Sequence, residues 1–304
     1  MSYQVLPKSH FRSSLARVIY SKMLEDQYDS CHGHSNWYEL NLNEIDGNLS
    51  HLFHQLYEDE ETKKFLEACR EKSDWIVTQL FHSFFKFIFS FFMTSTTVNG
   101  LLNRGSMFVM SSTQFKSFMN ISDDKIFDNL LDMGAGDGAV TEKLSRHYRN
   151  IYVTEKSSTM VWRLKSRGYQ VLDADSWYKE SSVKFDTIAC LNLLDRCDRP
   201  LDLLETIHSK LVAGTGRLLL AFVLPFSHYV EFGATKDHKP QQVLNIPRGT
   251  LEQQLSGLIH NVLVPAGYEV EKFSKVPYLC EGDLQHSYYV LQDVILLLKS
   301  VKHQ

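Results

Sequence analysis

Asp132-Met133-Gly134-Ala135-Gly136-Asp137-Gly138 follows the mostly apolar stretch Ile126 to Leu131, and Glu155 closes the next apolar stretch, Ile151-Tyr152-Val153-Thr154. Three alternate glycines let a chain turn sharply out of a strand into a helix and bring its backbone close to a ligand. A carboxylate at the tip of the second strand accepts hydrogen bonds from ribose hydroxyls, so the pair predicts a nucleoside-containing cofactor. A dinucleotide fingerprint has the spacing G-x-G-x-x-G and seats a pyrophosphate on the helix N-terminus. Here the spacing is G-x-G-x-G, with Asp132 before it and Asp137 inside it. Carboxylates beside the turn repel phosphate and suit a cation, which predicts S-adenosylmethionine as cofactor, bound through Asp132, Gly134, Gly136, Asp137 and Glu155.

Around that stretch the pattern alternates. Strands are predicted at 127–133, 151–155, 169–173, 185–191 and 216–224, with helices around 138–147, 157–167 and 200–212. A further helix is predicted over 253–266, then two strands, 268–276 and 287–299, with no long crossover between them. Five parallel strands followed by a late antiparallel pair predict an α/β fold of the class I S-adenosylmethionine-dependent methyltransferase type. This is a Rossmann-like seven-stranded sheet with a late antiparallel strand, here with an N-terminal helical extension. The expected divisions are a polar, partly disordered segment over 1–50, a helical accessory region over 51–120 and the methyltransferase domain over 121–304. Within the first of these, Phe11 to Leu24 reads as a short helix.

The chain has 304 residues, of which 43% are hydrophobic, enough for one α/β core with an accessory layer. A net charge of -4 supplies no broad field for nucleic acid, so none is expected as partner. The five cysteines, Cys31, Cys69, Cys190, Cys197 and Cys280, form no C-x-x-C pair and read as free thiols of an intracellular protein; no metal site is expected. The first residues contain no continuous apolar leader. Cytoplasm is the expected compartment, with endoplasmic-reticulum or mitochondrial association left open. The phenylalanine-rich segment 75–93 approaches spanning length, but Gln79, His82 and Lys86 interrupt it, so a helix packed on the domain or lying at a membrane surface fits better than a span.

Ligands of open parallel sheets gather at the carboxyl ends of the strands. After the third strand, Asp175 offers a carboxylate to an adenine amino group and Trp177 an aromatic face, against a turn residue and a core residue as the plainer readings. After the fourth, Phe185-Asp-Thr-Ile-Ala-Cys-Leu-Asn-Leu-Leu-Asp-Arg-Cys-Asp198 delivers Asn192 and Asp195 to where a methyl acceptor lies in this fold. An asparagine followed three residues later by a carboxylate suits an acceptor that must be oriented and must redistribute a proton. Asp195 capping the next segment and pairing with Arg196 or Arg199 is the structural alternative.

The glycine stretch, Cys190 to Asp198, Leu101-Leu-Asn-Arg-Gly-Ser-Met-Phe-Val109, Pro277-Tyr-Leu-Cys-Glu-Gly-Asp283 and Tyr288-Tyr-Val-Leu291 together resemble the DREV family of protein-histidine methyltransferases, from about Trp37 to the C-terminus. The resemblance implies methylation of the pros nitrogen, Nδ1, in polypeptides bearing His-x-His with small x. It implies cofactor contacts from Asp132, Gly134 and Glu155, with Arg104 on the cofactor's carboxylate, and substrate-binding and catalytic roles for Asn192, Asp195 and Tyr289. Vertebrate members carry an apolar leader that is absent here. A small-molecule or other protein methyltransferase of this fold, or an idle cofactor-binding adaptor, are the alternatives. The chain also holds His32-Gly33-His34, read as coincidence, as a self-methylation segment or as part of a metal site with Cys31.

Overall fold

The structure is a computed structural model that describes residues 13–75, 106–179, 182–228, 230 and 238–301. The phenylalanine-rich segment beyond Trp75, and Arg104, lie outside the described residues.

Eight strands among the described residues form one sheet: β1 (Met107–Phe108), β2 (Phe127–Met133), β3 (Tyr148–Thr154), β4 (Gln170–Leu172), β5 (Thr187–Leu191), β6 (Arg217–Val223), β7 (Tyr268–Glu281) and β8 (Tyr288–Ser300). Their spatial order is β1-β7-β8-β6-β5-β2-β3-β4. Strands β2 to β6 pair in parallel, β8 runs antiparallel to β6, and β7 antiparallel to β8. This is the expected topology with one strand more than the predicted seven. The extra one is β1, whose two residues pair with Cys280 and Leu279 at the sheet edge. A two-residue strand has no alternation for a sequence reading to find.

The helices are α1 (Ser14–His32), α2 (Glu60–Asp74), α3 (Ser112–Met119), α4 (Ala139–Ser145), α5 (Ser158–Ser166), α6 (Pro200–Lys210) and α7 (Leu251–Leu258). The helix predicted over 253–266 is α7 continued by a π-helical turn, Ile259–Leu263. No helix among the described residues is long and apolar enough to cross a membrane.

Side chains alternate across β6, so one run feeds two cores. Leu218, Leu220 and Phe222 join Val294, Leu296 and the α6–α7 side, while Leu219 and Ala221 join Leu130, Ala189, Ile295 and Leu297 on the other face. Burial on both faces is why β5 and β6 read as nearly continuous apolar runs.

The N-terminal expectation needs correction. Helix α1 spans 19 residues, well past the predicted Leu24, and Tyr38, Ile45 and Leu49 are buried in the cores. The His54 N–H donates to the Phe273 carbonyl of β7 at 2.8 Å, tying this segment to the sheet. Three carboxylates hold α1 to the β7–β8 hairpin: Glu25 bonds His286, Asp26 accepts from Ser287, and Asp29 accepts from Tyr288. Polar docking leaves no apolar stripe to read.

Candidate active site

The glycine turn is pinned to the tip of β3, where the Gly134 and Ala135 N–H groups donate to the Thr154 carbonyl at 2.9 and 3.1 Å. Gly134, Gly136 and Gly138 all have left-handed backbones, with φ of 68°, 54° and 82°. At Gly134 a Cβ would stand 3.2 Å from Leu193 Cδ1. The loop before α4 and the segment after β5 are therefore in contact.

Glu155 follows β3 directly and reaches the glycine loop. Its carboxylate accepts from Gly136 N at 2.9 Å, Lys156 N at 2.7 Å and Ser157 N at 2.9 Å. The Asp137 Oδ1 accepts from the N–H of Ala139, the first residue of α4, at 3.0 Å. Asp132 departs from expectation. It lies beneath the turn, buried, accepting from Thr141 Oγ1 at 2.6 Å, so it braces α4 rather than facing a ligand. Burial pushes its carboxyl up to about 7, against the Thr141 hydrogen bond and with a further upward push from Glu155. The repulsion of phosphate argued from Asp132 and Asp137 thus belongs to Asp137 and Glu155.

Asp175 stands on the rim of a cleft of about 660 Å³ that Glu155, Lys156, Val171 and Asp173 also line. Its carboxylate pairs with Lys156 at 3.0 Å, and the group is largely exposed. Hydrogen bonds from Ser176 and the Asp175 N–H hold the Asp173 carboxyl below the usual range. Trp177 offers no face to an adenine. It is 3% exposed and packed in the larger core against Phe185, the plainer of its two readings.

Across the loop lies a buried polar cluster. The Asn192 N–H donates to the Ala221 carbonyl at 3.0 Å, after which a φ of 54° turns the chain out of the sheet into the short helix Leu194–Arg196. The Asn192 Nδ2 donates to Asp293 Oδ2 at 2.8 Å. Asp293 is fully buried on β8, opposite Val223 of β6 and Val276 of β7. Asp195 is 3% exposed, with Arg196 Nε at 3.2 Å from its Oδ2. Burial pushes the Asp195 carboxyl up, and Arg196 opposes the shift. Burial likewise pushes Asp293 up to about 8, against the Asn192 hydrogen bond and with an upward push from the Asp195 charge. One oxygen each of Asn192, Asp195 and Asp293, all Oδ1, is buried without a hydrogen-bond partner. Buried acceptors are ordinarily satisfied, so the Asn192 and Asp195 oxygens have the capacity to receive further donors.

Asp293 was not found from sequence, although a lone carboxylate directly before Val294-Ile-Leu-Leu-Leu298 was a signal. Tyr278 and His228 were missed as well. Tyr278 lies two residues from Val276 on the same face of β7, diagonal to Asp293. Burial drives its phenol far above the usual range, and the charges of Asp293 and Asp195 push the same way. Its hydroxyl donates to Met107 Sδ, and Met107 Cε lies 3.9 Å from where a Cβ on Gly136 would stand. Met107 and Tyr278 thereby bridge the glycine loop and the acidic cluster. The His228 Nε2 donates to the Cys197 carbonyl at 3.0 Å, leaving a buried Nδ1 with no partner.

The expected grouping of Tyr289 with Asn192 and Asp195 is not formed. Four residues of strand, roughly 13 Å, separate Tyr289 from Asp293. The Tyr289 hydroxyl donates to Asp283 at 3.0 Å, and its ring meets His286 edge-on. Burial and the Asp283 carboxylate push this phenol up to about 12. The two histidines of His32-Gly33-His34 are both held by neighbouring groups. The His32 Nδ1 donates to the Tyr28 carbonyl at 2.9 Å, and His34 is buried, stacked on Trp37, with Nδ1 at 3.0 Å from Glu58 and Nε2 at 3.4 Å from the Tyr288 hydroxyl. Both pros nitrogens are engaged. Among the described residues there is no cluster of three or more groups able to hold a metal.

Solved structures share parts of this architecture. An N-methyltransferase, NodS, from Bradyrhizobium japonicum in complex with S-adenosylhomocysteine is 14% identical, with a TM-score of 0.39, over 58% of this chain and 80% of its own. A magnesium protoporphyrin IX methyltransferase from Synechocystis with bound S-adenosylhomocysteine is 14% identical, with a TM-score of 0.40, over 62% and 82%. An S-adenosylmethionine-dependent methyltransferase from Methanosarcina mazei is 12% identical, with a TM-score of 0.42, over 62% and 98%. Similarities this low carry no functional argument. The family model of the DREV methyltransferases matches residues 37–300, which takes in the glycine turn, Glu155, the Asn192–Asp195 segment and Asp293. On that match, the chain belongs to the DREV methyltransferase family.

Proposed function

We propose that this methyltransferase transfers the methyl group of S-adenosylmethionine to the Nδ1 nitrogen of histidine in polypeptide segments of the form His-x-His with small x. The residues at the glycine turn fit that donor: left-handed glycines permit close approach, and the Glu155 carboxylate, already beside the Gly136 N–H, has lone pairs for ribose hydroxyls. When bound, S-adenosylmethionine supplies an electrophilic methyl group on a sulfonium.

The observation that carries the acceptor side is the pair of buried, unpartnered oxygens, Asn192 Oδ1 and Asp195 Oδ1, on the segment whose Leu193 touches the glycine turn. A neutral imidazole has one N–H donor and one lone pair, and it is an adequate nucleophile at pH 7 once its lone pair is aimed. Asp195 accepts the Nε2–H, which selects the tautomer with Nδ1 free, and then stabilises the imidazolium that forms. Asn192 orients the ring or the adjoining peptide. Burial pushes both Asp293 and Asp195 up, but the Arg196 guanidinium opposes the shift at Asp195 alone, which favours negative charge there over Asp293 and suits one developing cation.

Incubation with an Ala-His-Ala-His peptide and S-adenosylmethionine, followed by amino-acid analysis, tests the reading. Pros-methylhistidine is the expected product. Transfer to other acceptors but not to this peptide would point to a different substrate, and no transfer despite tight binding of S-adenosylhomocysteine would point to an adaptor.

A further inference from the structure

We infer that Asp293 is a positioning residue for methyl transfer: it holds the Asn192 side chain so that the amide oxygen, not the amide nitrogen, faces the acceptor. The inference rests on the proposed reading of Asn192 and Asp195 as acceptors of a substrate N–H.

An asparagine side chain is nearly symmetric in shape, and which end points where is settled by its partners. Asn192 has one such partner, Asp293 Oδ2 at 2.8 Å from Nδ2. The opposite end, Oδ1, is buried and unpaired, as is Asp195 Oδ1 three residues on. With the Asp293 Oδ2 unprotonated, reversing the amide would set oxygen against oxygen, and in any form it would present an N–H beside Asp195, where a ring N–H also has to be received. Two donors would then compete for one carboxylate. The backbone adds to the constraint, since Asn192 is held at a φ of 54° by its N–H bond to the Ala221 carbonyl, so the side chain leaves the chain in a fixed direction.

Asp293 is itself held firmly. It sits in the middle of three paired strands, opposite Val223 on one side and Val276 on the other, and is fully buried. The backbone N–H groups of Phe222 and Val294, like the Asn192 amide, favour its ionised form, while burial and the Asp195 charge favour the neutral one. Ionised, or neutral with its proton on Oδ1, the carboxyl accepts from Asn192 through Oδ2. Burying a carboxyl here is costly, and an apolar residue would pack more cheaply. Orienting Asn192 is a task that only a hydrogen-bonding side chain performs.

The test uses the full chain and a His-x-His peptide, with kcat, KM, S-adenosylhomocysteine affinity and the ratio of pros to tele methylhistidine as readouts. Asp293→Leu should lower kcat at least about 10-fold with cofactor affinity unchanged, and should lower the pros-to-tele ratio. Asp293→Asn, whose amide oxygen still accepts from Asn192, should restore part of the rate. In the Asn192→Ala background, Asp293→Leu should cost nothing further, as expected of residues that act as one unit. Wild-type kcat and ratio in Asp293→Leu, or losses that multiply in the double variant, overturn the inference. Should Asp293→Leu fail to bind S-adenosylhomocysteine, Asp293→Val, the residue type that flanks it on β6 and β7, takes its place: a lowered ratio supports the inference and an unchanged ratio overturns it. A wild-type chain that methylates no His-x-His peptide overturns the underlying reading and this inference with it, whereas an active wild type with an indifferent Asp293 overturns this inference alone.

Discussion

Gly134 and Asp195 show how single residues divide the work of the site. Gly134 adopts a φ of 68° and would place a Cβ 3.2 Å from Leu193 Cδ1, so any side chain there meets both backbone strain and the segment that carries the acceptor cluster. Gly134→Ala should destabilise the chain by about 1–2 kcal/mol and weaken S-adenosylhomocysteine binding. Urea denaturation and calorimetric titration read the two effects separately, and unchanged cofactor affinity would remove Gly134 from the binding loop. Asp195 is different in kind. Its Oδ1 is buried and unpaired, so Asp195→Asn keeps the shape while removing the carboxylate proposed to stabilise the imidazolium. Methyl transfer should fall roughly 100-fold or more while S-adenosylhomocysteine binds nearly as well. Parallel loss of both would give Asp195 a structural role.

At the scale of elements, the site depends on helices with well-satisfied ends. Helix α3 begins with a capping box: Ser111 Oγ accepts from Gln114 N at 2.9 Å, and Gln114 Oε1 accepts from Ser111 N at 2.9 Å. The same Ser111 hydroxyl donates to Asp59, the N-cap of α2, so one side chain couples two helix starts. Ser111→Ala should cost about 1–2 kcal/mol of stability, read as a lower denaturation midpoint, with kcat on a His-x-His peptide unaltered. Elements were the most legible level of this chain. The glycine turn, the alternation of β2 to β6 with α4 to α6, and the β7–β8 hairpin follow from patterns a few residues long. What escaped were β1, too short to alternate, and the true length of α1, whose hold on the hairpin is polar. The π-helical turn after α7 also escaped, since its apolar residues fit an ordinary helix equally well.

Two carboxyl groups buried beneath the carboxyl edge of the sheet affect the whole molecule. Asp132 and Asp293 are pushed up to about 7 and about 8, chiefly by burial. Asp132 faces Thr141 and Glu155; Asp293 faces Asn192 and Asp195. An unfolded chain loses these protons near pH 4, whereas the folded chain keeps them until about pH 7 to 8. Across that window the folded state binds more protons, so these groups make stability fall as pH rises from about 4 to about 8. Urea midpoints measured over this range should show the decline, and Asp293→Asn should flatten part of it. A slope unchanged by that substitution would mean Asp293 is ionised in the folded protein.

By itself the sequence determined the class of sheet and of cofactor, and the positions of the glycine turn after β2, of Glu155 after β3 and of Asn192 and Asp195 after β5. These are local matters: a glycine's left-handed backbone, the period of a strand and the spacing of residues after it are all set by near neighbours in the chain. Only the tertiary structure decided that Asp132 lies beneath the turn, that Trp177 is core, and that Asp293 and Tyr278 rather than Tyr289 stand by Asn192 and Asp195. Asn192 and Asp293 are joined because β6 pairs with β5 on one side and β8 on the other, and a meeting across about a hundred residues depends on strand register rather than local pattern.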